Sequence, residues 1–363
     1  MRSTSEQATL QRARALMERC LRKQGPSELA REYPLVFDQR FSGRIVAREE
    51  DGDVRSACAM LVRDLVVGHE RLRVGLIGSV ATDPAWRGRG LASRVLEEAE
   101  NLLAREGCAA ALLWADDPEF YARRGYVPAG RELDFVVPTA ALAPITSDAT
   151  LRALAPDDVA AVHRLYSRHT ARCDRTPAET AALLGCPGMT TLVLQRRRDV
   201  TAYACLGRGA DFAGTVHEWG GAHDDVVALV AEHARRAARA TAAPSIALIA
   251  PPDALRLRAR MEALGADVRE GVLGMAKLLD PEVLGEMLER CGGTLRAEHD
   301  SGAGSTSIVR GPRGARALGE AAVLAILFGS RECGAARAEL EASLGCNVPV
   351  LALSPFVWGL DSI

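Results

Sequence analysis

The sequence predicts an α/β (α+β) protein with a mixed central sheet flanked by helices, duplicated along the chain and followed by a small α+β C-terminal domain. Three observations lead to this prediction. A strand pattern, a glycine-rich loop, a long helix pattern and a second strand pattern follow one another between residues 72 and 115. The order of elements recurs between residues 148 and 280. Residues 281–363 differ, with helices around a glycine- and serine-rich stretch.

Length and composition are those of a multidomain globular protein. The chain has 363 residues, more than one ordinary hydrophobic core accommodates, and 48% of them are hydrophobic. Aromatic residues make up 4%, so much of the core must consist of Ala, Leu and Val. We expect three domains, at residues 1–147, 148–280 and 281–363.

Charge and cysteine usage argue against several classes of partner. The formal net charge is −2, which gives no general attraction to nucleic acid or to an anionic membrane. The nine cysteines include no CxxC pair and no histidines at metal-ligand spacing, so we expect free thiols and no metal site. The N-terminus lacks the apolar segment of a signal peptide, and no stretch has the length of a membrane span. A cytoplasmic location is therefore expected.

The first predicted elements lead up to the glycine-rich loop. They are a helix at 5–24 and strands at 44–48 and 55–62. The Asp51-Gly52 step between the two strands is a hairpin signal. A third strand, at 72–80, contains Gly75 and Gly78. Glycine weakens a strand unless another backbone or a ligand must come close to it.

A long helix is predicted to begin directly at the glycine-rich loop. Its apolar face consists of Leu91, Val95, Leu96, Ala99, Leu102 and Leu103. Gly107 stands where a helix stop is expected, and residues 109–115 form an almost wholly apolar run, typical of a strand buried on both faces. Strand, loop, helix and strand together make a parallel crossover unit, with the loop at the carboxyl end of the first strand.

The remaining residues contain two further sets of elements. The second segment predicts helices at 156–168, 176–184, 224–240 and 253–264, strands at 191–194, 200–207 and 245–250, and an apolar stretch at 271–279. The third segment predicts helices at 282–291, 318–328 and 334–344 and a flexible stretch near residue 300. Hydrophobic and aromatic residues occur through 355–363 up to the final Ile363. Because free tails are normally polar, we expect this one to be docked.

The loop at residues 87–92 carries the main functional signal. It lies at a strand-to-helix junction, where unpaired backbone N–H groups and the helix dipole favour an anion. It has neither a Walker lysine nor the dinucleotide GxGxxG pattern. Its R-x-x-G-x-A spacing resembles the pyrophosphate loop of the GNAT N-acetyltransferase superfamily. An ordinary helix N-cap turn is the alternative interpretation.

The resemblance extends on both sides of the loop and covers residues 74–130. Pro84 stands as in the family pattern V-x-P-x-x-R-G-x-G, and residues 120–126 resemble its F-Y-x-x-x-G-F/Y segment. Thr82 replaces the usual valine, with little expected effect because the family's contacts there come from the backbone. The resemblance implies acetyl-CoA as the cosubstrate and no metal.

The same resemblance assigns roles to individual residues. The residues implied to contact acetyl-CoA are Val80, Ala81 and Thr82 along pantetheine, Arg87, Gly88, Arg89, Gly90, Leu91 and Ala92 at the pyrophosphate, and Phe120 near the thioester. Tyr121 would protonate the departing thiolate. A phenol with a reference pKa near 10 is a protonated donor at neutral pH, as this role requires. The alternative is a core aromatic residue with a hydrogen-bonded hydroxyl.

The whole chain is similar in arrangement to the Eis-type acetyltransferases, which combine a catalytic GNAT domain, a degenerate GNAT-like domain and a C-terminal domain resembling a sterol carrier protein. In that group the C-terminal carboxylate acts as a base, which would give this role to Ile363. The corresponding loop of the second segment, at residues 219–225, has glycines but no R-x-x-G-x-A. Asp224 and Asp225 would repel phosphate there, so we expect this segment not to bind CoA.

The predicted activity is direct transfer of an acetyl group to a primary amine of a small molecule or a lysine side chain. The sequence does not name the amine, and it leaves open whether the protein is a homo-oligomer. A non-catalytic acyl-CoA sensor is the alternative, and a lipid carrier built on the C-terminal domain is a third class. Glu32 and Asp116 are weaker candidates for substrate binding.

Overall fold

The computed structural model describes residues 4–22, 28–142, 149–290, 296–300, 306–330, 334–335, 338, 341–342 and 355–363. The chain forms two compact units, and each of them combines separate stretches of sequence. Unit 1 comprises Met1–Ile45, Glu132–Gly271 and Val357–Ser362. Unit 2 comprises Val46–Arg131, Val272–Phe356 and Ile363. No helix in the described part of the chain is long and apolar enough to cross a bilayer.

The helices and strands agree with most of the sequence-based predictions. The helices are α1 Thr4–Leu21, α2 Leu29–Glu32, α3 Pro34–Phe37, α4 Leu91–Arg105, α5 Pro118–Ala122, α6 Val159–Tyr166, α7 Pro177–Leu184, α8 His223–Thr241, α9 Leu255–Ala263, α10 Val283–Arg290 and α11 Glu320–Phe328. The strands are β1 Arg44–Glu50, β2 Asp53–Val67, β3 Glu70–Thr82, β4 Ala110–Leu113, β5 Val127–Ala129, β6 Glu132–Pro138, β7 Thr150–Ala153, β8 Ala171–Cys173, β9 Thr190–Arg196, β10 Asp199–Arg208, β11 Asp211–Gly221, β12 Ser245–Ala250, β13 Asp267–Gly271, β14 Gly274–Leu278, β15 Arg296–Asp300, β16 Thr306–Gly311 and β17 Gly314–Gly319.

The sheet of unit 2 has the order β1-β2-β3-β4-β14-β5. Strands β2 and β3 form a long antiparallel hairpin, and β3 then pairs in parallel with β4 across the crossover helix α4. Strand β14 runs antiparallel to both β4 and β5. The predicted turn between β1 and β2 is confirmed: Asp51 and Gly52 both have positive φ, as a type I′ hairpin requires.

The sheet of unit 1 repeats this pattern. Its order is β13-β6-β12-β11-β10-β9-β7. Strand β10 is antiparallel to β9 and β11, β11 is parallel to β12, and β6 is antiparallel to β12 and β13. The direction of pairing thus matches that of unit 2 strand by strand, which confirms the predicted duplication of a mixed sheet.

Two strands are exchanged between the sheets relative to their order in the chain. Strand β6, from the first predicted segment, lies in the sheet of unit 1, and β14, from the second, lies in the sheet of unit 2. The predicted boundaries at residues 147 and 280 therefore do not coincide with the sheets. The sequence shows which residues of a strand are buried, such as Leu133 and Phe135 of β6, but any sheet edge can satisfy that pattern.

The crossover helix α4 supplies much of the core of unit 2. Its buried face includes Val95, Leu96 and Leu103, and it packs against β2 and β3. A Cβ atom on Gly75 of β3 would lie 2.3 Å from Leu103 Cδ1, so glycine is needed for the helix to approach the sheet this closely. One of the two glycines singled out in this strand is explained by that contact.

The third segment is described in part. Strands β15, β16 and β17 form an antiparallel sheet, and α11 is an apolar helix whose residues from Val323 to Phe328 are buried. The stretch between β15 and β16 and most of the helix predicted at 334–344 lie outside the described residues. The likeness of this segment to a sterol carrier protein stays a prediction.

Candidate active site

Strands β3 and β4 pair in parallel over a short length, and β3 extends past its partner. Their parallel ladder joins Val74–Leu76 to Ala110–Leu112, after which β3 continues to Thr82 and β4 ends at Leu113. A β-bulge lies just beyond the ladder, where β2 pairs Ala59 with Gly78 and next Ala57 with Ala81. Within the bulge Ser79 has φ 49°, a left-handed conformation that is uncommon for a non-glycine residue. The bulge thus interrupts the pairing with β2 in the part of β3 that extends past the ladder with β4.

The glycine-rich loop follows directly at the end of β3. Gly88 and Gly90 have φ values of 75° and 76°, and a Cβ atom on either would meet nothing within 4 Å. Gly90 is the N-cap of α4 and supplies no capping side chain, so the first N–H groups of the helix lack that partner. Residues 87–90 are exposed. Open space, two glycines and an uncapped helix start provide the elements of an anion site.

Tryptophan and arginine side chains surround this loop. Trp86 is half-buried in the turn before it, with the guanidinium of Arg89 4.3 Å and that of Arg55 5.0 Å from its ring centroid. Arg55 also pairs with Asp83, which accepts a hydrogen bond from the backbone N–H of Ala85 and fixes the turn. The turn is therefore ordered by local contacts, and it presents positive charge beside the start of α4.

Tyr121 lies on the short helix α5, which the Asp117 side chain caps by accepting a hydrogen bond from the Phe120 N–H. Its ring packs edge-to-face against Phe120 and Tyr126, with centroid distances of 5.0 and 5.8 Å. Within the described part of the chain its hydroxyl has no hydrogen-bond partner. Burial raises the pKa of Tyr121 to about 12. The phenol is therefore protonated at neutral pH and free to donate.

The neighbouring Tyr126 shows what a structural tyrosine looks like in the same core. Its hydroxyl donates to Glu100 Oε1 at 2.9 Å, and the other oxygen of Glu100 accepts from Lys277 at 2.6 Å. Burial raises the pKa of Tyr126 well above its usual value. The sequence does not show which of the two tyrosines has a structural role, whereas the hydrogen bond of Tyr126 does.

The C-terminal carboxylate lies beside Gly78, in the part of β3 that extends past the ladder with β4. A Cβ atom on Gly78 would lie 2.0 Å from an oxygen of Ile363 and 2.2 Å from its carboxyl carbon. The terminal group therefore rests on the backbone of Gly78, two positions before Val80. This close approach explains Gly78, as the contact with Leu103 explains Gly75. The expected docking of the tail is also confirmed, since Phe356, Val357, Trp358 and Leu360 are buried.

In unit 1, the corresponding end of the parallel ladder has different side chains around it. Its parallel ladder joins β11 to β12 at Thr215–Val216, and the indole N–H of Trp219 then donates to the carbonyl of Ile249 at 3.1 Å. This side chain bridges the two strands just beyond their ladder. Helix α8 follows with Asp224 and Asp225 in its first turn. An adjoining cavity of about 530 Å³ is lined by side chains of both charge signs.

The weaker candidates from the sequence have ordinary structural surroundings. Glu32 is buried in unit 1, where its carboxylate accepts from Arg22 at 2.6 Å. Asp116 is exposed after β4. Among the described residues no three His, Cys, Asp or Glu side chains converge as a metal-binding group.

Comparison with known families agrees with this geometry. Residues 2–129 match the family model described as an acetyltransferase (GNAT) domain. This match assigns a GNAT acetyltransferase domain to those residues, about a third of the chain. Comparison of the sequence with curated proteins gives no match. The GNAT match covers the loop, α4 and the segment with Phe120 and Tyr121.

Solved structures resemble nearly the whole chain. A GCN5-related N-acetyltransferase from Anabaena variabilis has a TM-score of 0.67 at 14% identity, with 98% of each chain covered. One from Kribbella flavida has a TM-score of 0.65 at 17% identity, covering 98% of this chain and 96% of its own. Eis1 from Mycobacterium abscessus has a TM-score of 0.61 at 17% identity, covering 100% and 99%. At these identities the likeness establishes the fold.

The contact between Gly78 and the C-terminus can be tested by substitution. Gly78→Ala should push the terminal residue off β3, because the new methyl group would overlap its carboxyl group. We expect carboxypeptidase to release Ile363 about tenfold faster from this variant, as measured by mass spectrometry. Gly319→Ala is the control, since a Cβ atom there meets nothing within 4 Å. Equal release from Gly78→Ala and the wild type would contradict the docking.

Proposed function

We propose that the protein is an N-acetyltransferase that moves the acetyl group of acetyl-CoA directly to a primary amine, on a small molecule or a lysine side chain. The observation that carries this proposal is the open, uncapped start of α4, which follows a strand, β3, that extends past its parallel ladder with β4. It combines an anion site with residues 77–82 of β3, which extend past the ladder with β4. A diphosphate with a long flexible arm has the shape and charge for that arrangement.

The residues proposed to hold acetyl-CoA fit its chemistry. Backbone N–H groups of residues 87–92 would bind the pyrophosphate, and Arg87 and Arg89 add exposed positive charge. Backbone groups of Val80, Ala81 and Thr82 would run beside the pantetheine arm, with Phe120 near the thioester. When bound, acetyl-CoA would supply an acetyl group activated as a thioester. We assign this binding to unit 2.

Two groups of the chain are proposed to move protons. The Ile363 carboxylate, resting on Gly78, would take a proton from the ammonium form of the acceptor, leaving a neutral amine that can attack. The carbon–nitrogen bond forms as the carbon–sulfur bond breaks. The free hydroxyl of Tyr121 would then donate its proton to the thiolate sulfur. No covalent bond to the protein is required, in keeping with the buried, protonated thiol of Cys58, whose pKa burial raises.

The proposed cofactor loop is tested by Gly90→Asp. Its carboxylate would lie where the pyrophosphate binds, so calorimetry should show that acetyl-CoA affinity falls by about 100-fold. Gly90→Asn is the matched control, because it has nearly the same shape without the charge and asparagine also tolerates positive φ. We expect the Asn variant to retain most of the affinity.

The same proteins test the activity itself. Thiol release from acetyl-CoA should increase on adding 1,6-diaminohexane, a lysine-containing peptide or an aminoglycoside, and mass spectrometry should detect the acetylated amine. Release should be lost in Gly90→Asp. Wild-type protein that binds acetyl-CoA but acetylates none of the three amines would favour the sensor interpretation. If Gly90→Asp bound acetyl-CoA as tightly as the wild type does, the loop would not be part of the site.

Only unit 2 is proposed to bind acetyl-CoA. In unit 1, Trp219 bridges β11 and β12, and the first turn of α8 carries two carboxylates. Both features oppose a pantetheine arm and a pyrophosphate. Calorimetric titration of the wild type should therefore end at one acetyl-CoA per chain. A stoichiometry of two would show that the second cleft binds as well.

Tyr121→Phe tests the proposed acid. The substitution removes one hydroxyl that has no hydrogen-bond partner among the described residues, so the fold should be retained. If the hydroxyl protonates the thiolate, kcat should fall by roughly 100-fold while acetyl-CoA affinity changes little. Stopped assays at saturating acetyl-CoA and calorimetry measure the two quantities. An unchanged kcat would make Tyr121 a packing residue.

A further inference from the structure

The cavity of about 530 Å³ in unit 1 lies at the junction of β11 and α8. The residues that line it run from Leu165 to Ala254, so it belongs to unit 1 alone. Its volume falls within the range of roughly 300–1,000 Å³ that is typical of small-molecule sites. In unit 2 the corresponding strand-to-helix junction carries the glycine-rich loop. The duplicated fold has therefore kept a cavity at this junction, with other side chains around it.

The floor of the cavity is apolar and preformed. Leu165, Trp219 and Ala254 line it and are buried. The imidazole rings of His169 and His223 pack edge-to-face against the indole of Trp219, with centroid distances of 5.4 and 5.5 Å. His169 Nε2 also donates to the Trp219 carbonyl at 2.7 Å. These contacts fix the rings before any ligand enters.

His169 adds a hydrogen-bond acceptor to this lining. Burial lowers the pKa of His169 to about 4, so the ring is neutral at neutral pH. Because Nε2 donates its proton to the Trp219 carbonyl, Nδ1 carries none and can only accept. Nδ1 has no hydrogen-bond partner among the residues that the structure describes. A neutral ring with a free acceptor favours a ligand that carries N–H groups.

Two charges at the cavity lack a counter-ion. Arg168, Asp225 and Asp253 line it, and Asp225 is paired with Arg196 at 2.7 Å. Within the described part of the chain, Arg168 has no side-chain hydrogen bond or ion pair. The carboxylate of Asp253 accepts from the Thr170 hydroxyl at 3.0 Å and from no cation there. Arg168 and Asp253 are both exposed, so one free positive and one free negative charge border a buried apolar floor.

We propose that this cavity binds a small zwitterion, an α-amino acid with an apolar side chain. Its ammonium group pairs with Asp253, its carboxylate pairs with Arg168, and its side chain lies against the apolar floor. A ligand with a single charge would satisfy only one of the two. Acetyl-CoA fits poorly, because it carries several negative charges and no ammonium group. The site is independent of any acetyl transfer in unit 2.

The test matches charges on the ligand with charges on the protein. The probe is L-phenylalanine, titrated into the whole protein and followed by nuclear magnetic resonance of its ring protons. Phenethylamine keeps only the ammonium group, and 3-phenylpropionate keeps only the carboxylate. Asp253→Asn and Arg168→Gln each remove one charge from an exposed side chain, so the fold should be retained. Asp157→Asn and Arg164→Gln are the controls, since these residues are also exposed in unit 1 but do not line the cavity.

L-Phenylalanine should bind the wild type and both controls equally, and each cavity variant about fivefold more weakly. The loss is modest because charges at an exposed rim are screened by solvent. Phenethylamine should respond to Asp253→Asn alone, and 3-phenylpropionate to Arg168→Gln alone. Failure of L-phenylalanine to bind the wild type overturns the inference. Equal binding to the wild type and both cavity variants also overturns it, since the amino acid would then bind elsewhere, as at an acceptor site in unit 2.

A second pair of variants tests the cavity without changing its charges. Ala222 lines the cavity and is the exposed N-cap of α8, in an extended conformation that any side chain can adopt. Ala222→Trp should fill the space and weaken L-phenylalanine binding by at least about tenfold. Ala222→Ser stays small and should bind as the wild type does. Thermal melting checks that both variants fold, and unchanged binding to a folded Ala222→Trp would contradict the proposed site.

Discussion

The site depends on how briefly β3 pairs with β4. A full-length parallel ladder would have bonded the backbone of residues 77–82 to the next strand and left no edge for a ligand or a chain end. Instead the ladder stops at Leu76, and Ser79 in the bulge beyond it has a left-handed conformation. A left-handed serine costs about 1–3 kcal/mol, which the long antiparallel pairing with β2 offsets. The seat of the carboxylate, Gly78, lies in the part of β3 that extends past this short ladder.

The two units show how one backbone arrangement supports different interiors. Gly78 and Glu218 each stand two residues beyond the parallel ladder of their sheet. In unit 2 the missing side chain makes room for the terminal carboxylate. In unit 1 the position holds a buried carboxylate, neutralised by Arg175, and the next residue, Trp219, bridges the strands. The fold therefore gives the shape of a cleft, whereas individual side chains decide whether it stays open.

Local patterns in the sequence predicted the elements around the loop closely. The sequence was sufficient to predict the apolar face of α4, the Asp51-Gly52 turn and strand β12, because each depends on neighbouring residues. Strand β11 was missed, since its three glycines and buried polar residues such as His217 and Glu218 resemble a loop until their partners are known. The free hydroxyl of Tyr121 and the seating of Ile363 likewise depend on contacts distant in sequence. In the sequence, the seating of Ile363 was signalled by the apolar tail and by Gly78, whereas nothing local signalled the hydroxyl of Tyr121.

The exchange of β6 and β14 has a consequence for how the protein is made. Strand β4 of unit 2 pairs with β14, and the ribosome synthesises β14 only after nearly all of unit 1. Until Leu278 has emerged, the apolar strand Ala110–Leu113 lacks its antiparallel neighbour. Contacts so distant in sequence slow folding and leave an adhesive strand edge exposed during synthesis. Unit 2 of the nascent chain thus depends on the rest of the chain, or on a chaperone, to shield this edge.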